Sequence, residues 1–273
     1  RVPAQVLIQG MIVQSGNDAT IALAERVGGT EQGFAQLMNA YAQRLGLTNS
    51  HFSNSTGLPD PQLYMSARDI ARLSRALIRE FPDYYRWYSQ REFVWNNIRQ
   101  SNRNGLLARD PSVDGIKTGH TATAGYCLVS SASRGGMRLI AVVLGTESMR
   151  AREDASAALL NYGFTFFETV KLRSRGQIVL SPRVYKGASE MIGIAPARDI
   201  YVTVGRGAAA TVRSAATVRE PLIAPLPANA VVGELVLTDG AEVIGREPLY
   251  PVGPVAAGGW WSRLADSIAL WWR

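Results

Sequence analysis

The 273-residue chain predicts two folded parts, an α+β domain followed by a small all-β domain. Three observations carry that reading. Apolar residues recur at helical spacing through most of the first eighty positions. A meander of strand-like runs and one strong helix follow them. Beyond about Thr169 the pattern becomes short Val/Ile-rich runs broken by Gly, Pro and Asp, the punctuation of a small β sandwich.

In order, residues 4–13 place Val6, Leu7, Met11 and Ile12 on one face of a helix. The polar turn Gln14-Ser15-Gly16-Asn17-Asp18 breaks it before a second helix over 19–27. Ser15 and Asn17 therefore project from a tight loop between two apolar helices, where a capping role for Asn17 or Asp18 would explain them equally well. Gly33–Leu45 is amphipathic, and 48–61 is loop. Ser66 predicts the cap of a helix over 67–81, with Asp69 three residues on as a variant capping box. The run Tyr84-Tyr85-Arg86-Trp87-Tyr88 predicts aromatic core beneath a loop.

Asp114-Gly115-Ile116-Lys117-Thr118-Gly119-His120-Thr121 reads as a strand carrying a cation, a hydroxyl and a side-chain-free Gly. A substrate backbone could lie against such a strand and meet a fixed positive charge. Residues 126–133 and 137–144 alternate in polarity around Arg134-Gly135-Gly136, a hairpin signal. A helix over 150–168 covers them. The boundaries read as a first domain over 1–168, a β-rich domain over 169–251 and a Pro/Gly/Ala linker over 252–259. An amphipathic helix over 260–273 finishes the chain. At about 100° per residue its four tryptophans, with Leu264, Ala265 and Ile268, fall within an arc of about 140°, Leu270 being the exception. Trp favours the lipid headgroup boundary, so this tail predicts an anchor lying in the membrane plane, too short to span it.

The net charge of +7, from 29 basic and 22 acidic residues, has no dense Lys/Arg block, which argues against nucleic acid as a partner. One cysteine, Cys127, and two distant histidines, His51 and His120, make neither an intrachain disulfide nor a zinc-like spacing. No metal or other cofactor is expected.

The strings Gly10 to Ala19, Ser66-Ala67-Arg68-Asp69, Asp114 to Thr121 with Ala124-Gly125-Tyr126, and Arg152-Glu153 followed by Gly163-Phe164 and Phe166 to Val170 closely resemble one family. This is the low-molecular-mass penicillin-binding proteins, the serine-type D-alanyl-D-alanine carboxypeptidases. The resemblance covers almost the whole chain and implies a β-lactamase/transpeptidase-like first domain. It implies hydrolysis of the terminal D-Ala–D-Ala bond of peptidoglycan stem peptides through an acyl-enzyme, capture of β-lactam antibiotics, and a periplasmic location on the inner-membrane surface. By the same resemblance Ser15 relays a proton to the leaving amine beside Lys117, and Asn17 holds a substrate amide. Lys117, Thr118, Gly119 and Arg152 seat the terminal carboxylate, Arg152 engaging both oxygens. The His120 backbone N–H supplies an oxyanion donor, while its ring could equally be an ordinary strand-edge side chain.

One element of the family pattern is missing: no Ser here is followed by Lys three positions later, so the Ser-x-x-Lys carrying nucleophile and base is absent. With an opening at Arg1 that runs straight into a buried helix, the expectation is an N-terminally truncated, inactive fragment. The rivals are a β-lactamase, for which Glu92 and Asn96 have the bare spacing of the deacylating loop, and a non-catalytic cell-wall or membrane binder.

Overall fold

The computed structural model describes residues 1–272, so Arg273 lies outside the described residues. The chain divides into two compact units, Arg1–Thr165 and Phe166–Arg273.

The first unit opens on α1 (Ala4–Gln14), α2 (Asn17–Gly28) and α3 (Glu31–Arg44). Thr30 caps α3 by accepting the Gly33 N–H at 2.9 Å. Two short strands, β1 (Ser50–His51) and β2 (Tyr64–Met65), pair antiparallel across the loop before α4 (Ala67–Glu80). Ser66 does cap α4 through the Asp69 N–H at 3.2 Å, but the capping box is one-sided. The buried Asp69 carboxylate reaches instead to the Asn49 N–H at 2.7 Å and the Ser50 hydroxyl at 2.8 Å. Burial alone would raise that carboxyl's pKa; these bonds and the Arg72 charge hold it below the usual range.

A short α5 (Pro82–Tyr85), the hairpin β3 (Glu92–Trp95) and β4 (Ile98–Ser101), and α6 (Leu106–Arg109) lead to the main sheet. That sheet has the order β5-β6-β7, antiparallel throughout, from β5 (Val113–Thr121), β6 (Gly125–Arg134) and β7 (Met137–Thr146). Gly135 and Gly136 both take positive φ, 55° and 81°, the pair a two-residue type I′ hairpin demands. α7 (Met149–Phe166) follows, and Leu160 joins Leu106, Leu128 and Ala132 in a buried cluster.

The second unit is β-rich. β8 (Phe167–Arg173) pairs with β11 (Ile200–Gly205), and β9 (Val184–Tyr185) pairs with β13 (Leu222–Ile223). β10 (Ile194–Pro196), β12 (Val212–Val218), β14 (Gly233–Asp239) and β15 (Glu242–Pro251) form a sheet of order β10-β15-β14-β12. Ile194, Leu235 and Leu249 sit at its centre.

Two expectations change in this unit. Residues 252–259 are no free linker: Val255 is buried in the core, and Leu226 and Val255 exchange backbone hydrogen bonds of 2.8 Å. The closing helix, α8 (Trp260–Trp271), is docked as well as amphipathic. Asp266, placed by the sequence pattern on the polar face, is buried; it accepts from Arg183 at 2.9 Å and from the Lys186 backbone N–H at 2.5 Å. Leu270, one turn beyond Asp266, is half-buried, which accounts for its apolar character away from the tryptophans. Trp260, Trp261, Trp271 and Trp272 remain 64–83% exposed. Among the described residues no helix is long and apolar enough to cross a membrane.

Candidate active site

β5 is an edge strand of its sheet, paired only with β6, so its other side offers free backbone groups. Its start is clamped from two directions. Buried Asn104 donates Nδ2 to the Gly115 carbonyl at 3.2 Å, and the Tyr85 hydroxyl donates to Asp114 Oδ1 at 2.9 Å. Gly115 is required there because a Cβ would lie 2.7 Å from that hydroxyl. Arg138 completes the anchor with an ion pair to Asp114 at 2.7 Å. Burial, first of all, pushes the Tyr85 phenol far above its ordinary range.

The loop between α1 and α2 meets β5 directly. Lys117 Nζ donates to the Ser15 hydroxyl in a very short contact and to the Thr118 carbonyl at 3.0 Å. Ser15 ends α1 with left-handed backbone angles, φ 55° and ψ 41°, a common way for a helix to stop. Two bonds tie its helix end to the segment before β5: Gln14 Nε2 to the Ser101 carbonyl at 2.7 Å, and the Arg103 N–H to the Val13 carbonyl at 3.5 Å. Asn17 is not a cap. Gly16 occupies the cap position of α2 without a side-chain bond, and Asn17 is exposed beside the loop.

Lys117 is half-buried, and its pKa falls to about 8. Desolvation is the main cause, followed by the positive charges of Arg103 and Arg152. Arg103 is the cation that sequence reading missed. It is exposed, it lies in a loop without a motif of its own, and only the fold brings it to Lys117.

Arg152 is 3% exposed. Nη1 donates to the Gly119 carbonyl at 3.3 Å and Nη2 to the Arg103 carbonyl at 3.0 Å, fastening the end of β5 to the Arg103 loop. Its Nε has no partner among the described residues. Thr118 is buried, whereas Gly119 and His120 are exposed. The His120 ring lies against Tyr126, its cross-strand partner, with centroids 3.9 Å apart. Among the described residues no three His, Cys, Asp or Glu side chains converge where a metal ion could sit.

The site is thus a cationic strand edge with a serine hydroxyl held against a lysine whose pKa is lowered to about 8. Comparison with known proteins decides which family uses it. The family model for D-alanyl-D-alanine carboxypeptidase matches residues 1–148, and the one for the C-terminal domain of penicillin-binding protein 5 matches residues 167–255. The D-alanyl-D-alanine carboxypeptidase DacA of Escherichia coli K12 is 41% identical over 272 residues, 99% of this chain and 68% of that protein.

The chain belongs to the D-alanyl-D-alanine carboxypeptidase family.

Among other members, DacF of Bacillus subtilis is 32% identical over 97% of this chain and 69% of its own length. The solved structure of penicillin-binding protein 5 from Haemophilus influenzae superposes with a TM-score of 0.82 at 40% identity, covering 92% of this chain and 74% of that one. Membership makes the chain a serine DD-carboxypeptidase, a peptidase hydrolase of the penicillin-binding fold. The β-lactamase alternative loses its one residue-level support: Glu92 lies on the exposed β3–β4 hairpin, paired with Arg99 at 3.0 Å.

Proposed function

We propose that the open edge of β5 binds the C-terminus of a peptidoglycan stem peptide ending in D-Ala-D-Ala, and that β-lactams occupy the same place. The observation that carries this reading is the Ser15–Lys117 contact, which joins two side chains 102 positions apart in one cationic cleft. Lys117 and Arg103 attract the terminal carboxylate, while the peptide backbone pairs along Lys117-Thr118-Gly119-His120 as an added strand. Arg152 acts from behind, adding charge and holding the Gly119 carbonyl. The His120 N–H serves as an oxyanion donor, and Asn17 holds a substrate amide.

Hydrolysis through an acyl-enzyme has to protonate a leaving amine. Ser15 suits that relay: its hydroxyl receives a proton from Lys117, whose pKa near 8 leaves it able to give one up at neutral pH. The family's attacking serine belongs to a Ser-x-x-Lys motif, and no such motif occurs in these 273 residues.

Calorimetric titration with a diacetyl-L-Lys-D-Ala-D-Ala peptide and with its C-terminal amide tests the carboxylate seat. The free acid should bind and the amide should bind at least about tenfold more weakly, the loss of one charge-assisted hydrogen bond. Equal affinities would refute the reading.

For α8 we propose a peripheral membrane anchor in the periplasm. Four exposed tryptophans on a helix already fixed to its unit by Asp266 support it. Deleting residues 260–273 should release the protein from anionic vesicles; undiminished sedimentation with vesicles would rule the anchor out.

A further inference from the structure

The second unit ends its largest sheet on an unguarded strand. β12 closes the order β10-β15-β14-β12 and, among the described residues, pairs with β14 alone. The Arg219 N–H bonds to the Val232 carbonyl at 2.9 Å, one step beyond that pairing. By the alternation of an antiparallel ladder, Arg213, Ala215 and Thr217 therefore turn their backbone groups toward β14. Ser214, Ala216 and Val218 turn theirs outward, where they make no backbone hydrogen bond among the described residues. The side chains of Ala216 and Val218 pack on the core, yet both residues are only half-buried. Folded proteins guard such edges with Pro, inward-pointing charges or a bulge. None of these occurs between Val212 and Val218, where the one charge, Arg213, points outward.

The edge Val212-Arg213-Ser214-Ala215-Ala216-Thr217-Val218 reads nearly alike in both directions about Ala215. A second β12 laid antiparallel on a two-fold axis through Ala215 sets Ser214 against Ala216, Arg213 against Thr217 and Val212 against Val218, each contact repeated by symmetry. Ala215 then faces its own copy as a non-hydrogen-bonded pair, the closest spacing in a ladder, where two methyl groups fit. The Ser214–Ala216 and Val212–Val218 pairs supply about six backbone hydrogen bonds, since the Val212 N–H is already bonded to the Ala209 carbonyl. Charge agrees with the same register. Arg213 donates to the Ala210 and Val212 carbonyls and has no acid partner among the described residues. The axis keeps the two Arg213 residues about 13 Å apart. It brings each beside a Thr217 whose neighbour on β14 is the half-buried Glu234.

We infer that two copies of this chain associate through β12, joining their four-stranded sheets into one continuous sheet across a two-fold axis. The partner is a second copy because the small pair at Ala215 and the approach of Arg213 to Glu234 are both met by this strand in this register. Moving the axis to Arg213 would set arginine against arginine and lose the fit. A seven-residue edge buries much less than the roughly 1,600 Å² of a standard stable interface, so the dimer belongs to the weak, concentration-dependent class. The pairing involves neither β5 nor α8 and does not rest on the reading proposed for either.

Analytical ultracentrifugation of the full chain should show a monomer–dimer equilibrium in the micromolar to millimolar range. Ala215→Lys places two ammonium groups face to face on the axis. It should raise the dimer dissociation constant at least about tenfold, with an unchanged circular-dichroism melt showing that the variant is folded. In a Cys127→Ser background with diamide as oxidant, Ala215→Cys should form an interchain disulfide, because a non-hydrogen-bonded pair brings its Cα atoms to about 4.5 Å. Thr217→Cys should crosslink at least about tenfold more slowly, its two copies lying about 13 Å apart. A chain that stays monomeric at millimolar concentration would overturn the inference. So would equal crosslinking at the two positions, or a dimer that survives Ala215→Lys, as it would if the tryptophans of α8 held it.

Discussion

The two units spend their interiors differently. Of the nine buried polar or charged side chains among the described residues, all but Asp266 lie in the first unit, among them Asp69, Asn104, Thr118, Ser131 and Arg152. The second unit packs Val184, Ile194, Ile200, Leu235, Leu237, Leu249 and Val255 into one apolar cluster and Val202, Val204 and Val212 into another. Burying a polar group costs free energy unless it is fully bonded. The first unit accepts that cost where it gains a fixed geometry: Asn104 and Arg152 hold the two ends of β5 by its carbonyls. The second unit takes its stability from apolar burial. A polar interior marks the part of the molecule that must hold atoms in place for chemistry.

That contrast can be broken by substitutions in either unit. Leu249→Ala, at a fully buried position, should lower stability by about 2–5 kcal/mol in chemical denaturation and leave peptide affinity at β5 unchanged. A parallel loss of affinity would show that the apolar unit shapes the site too. Lys117→Ala should reduce affinity for the free-acid peptide about tenfold to a hundredfold, the range for a charge-assisted bond, with little change in melting temperature. Asp266→Ala removes the acceptor for Arg183 and Lys186, at a cost of about 1–3 kcal/mol. Faster hydrogen exchange confined to 260–271 would place that cost in α8 alone.

The smallest effect is in pH. Because the Lys117 pKa is lowered to about 8, the cation is present below that value and is lost as pH rises through it. Free-acid peptide affinity should therefore hold between pH 6 and 7.5 and fall by about threefold near pH 8.5, the fraction expected for a single site. A flat titration to pH 10 would mean that Lys117 is not the group that meets the carboxylate.

How much of this was legible in the sequence follows from the range of the interactions. Helical spacing, the Gly135-Gly136 turn and the Ser66 cap are local, and they appear where the pattern puts them, within a few residues. The Ser15–Lys117 meeting followed from a family resemblance, since nothing in either loop specifies a partner 102 positions away. Arg103 was invisible because it is one arginine in a polar loop. Its meaning comes from Lys117 and Arg152 arriving beside it. Arg152 and Asp266 were assigned to a ligand and to solvent, the usual places for a guanidinium and a carboxylate. Their burial depends on backbone groups at Gly119, Arg103 and Lys186, which no side-chain pattern reveals. Val255 was hidden by its Pro/Gly/Ala surroundings, which resemble a flexible spacer until Leu226 pairs with it.

The two-carbonyl grip of Arg152 has a consequence for tolerance to change. One guanidinium spans the end of β5 and the Arg103 loop, so the distance between the lysine and the exposed arginine is set by a single rigid plane. Lysine in its place would keep the charge and lose the spacing, since an ammonium cannot hold two carbonyls in fixed directions. In an engineering campaign this is a position where the conservative exchange is the informative one: it would separate the part of ligand recognition that depends on charge from the part that depends on the width of the cleft.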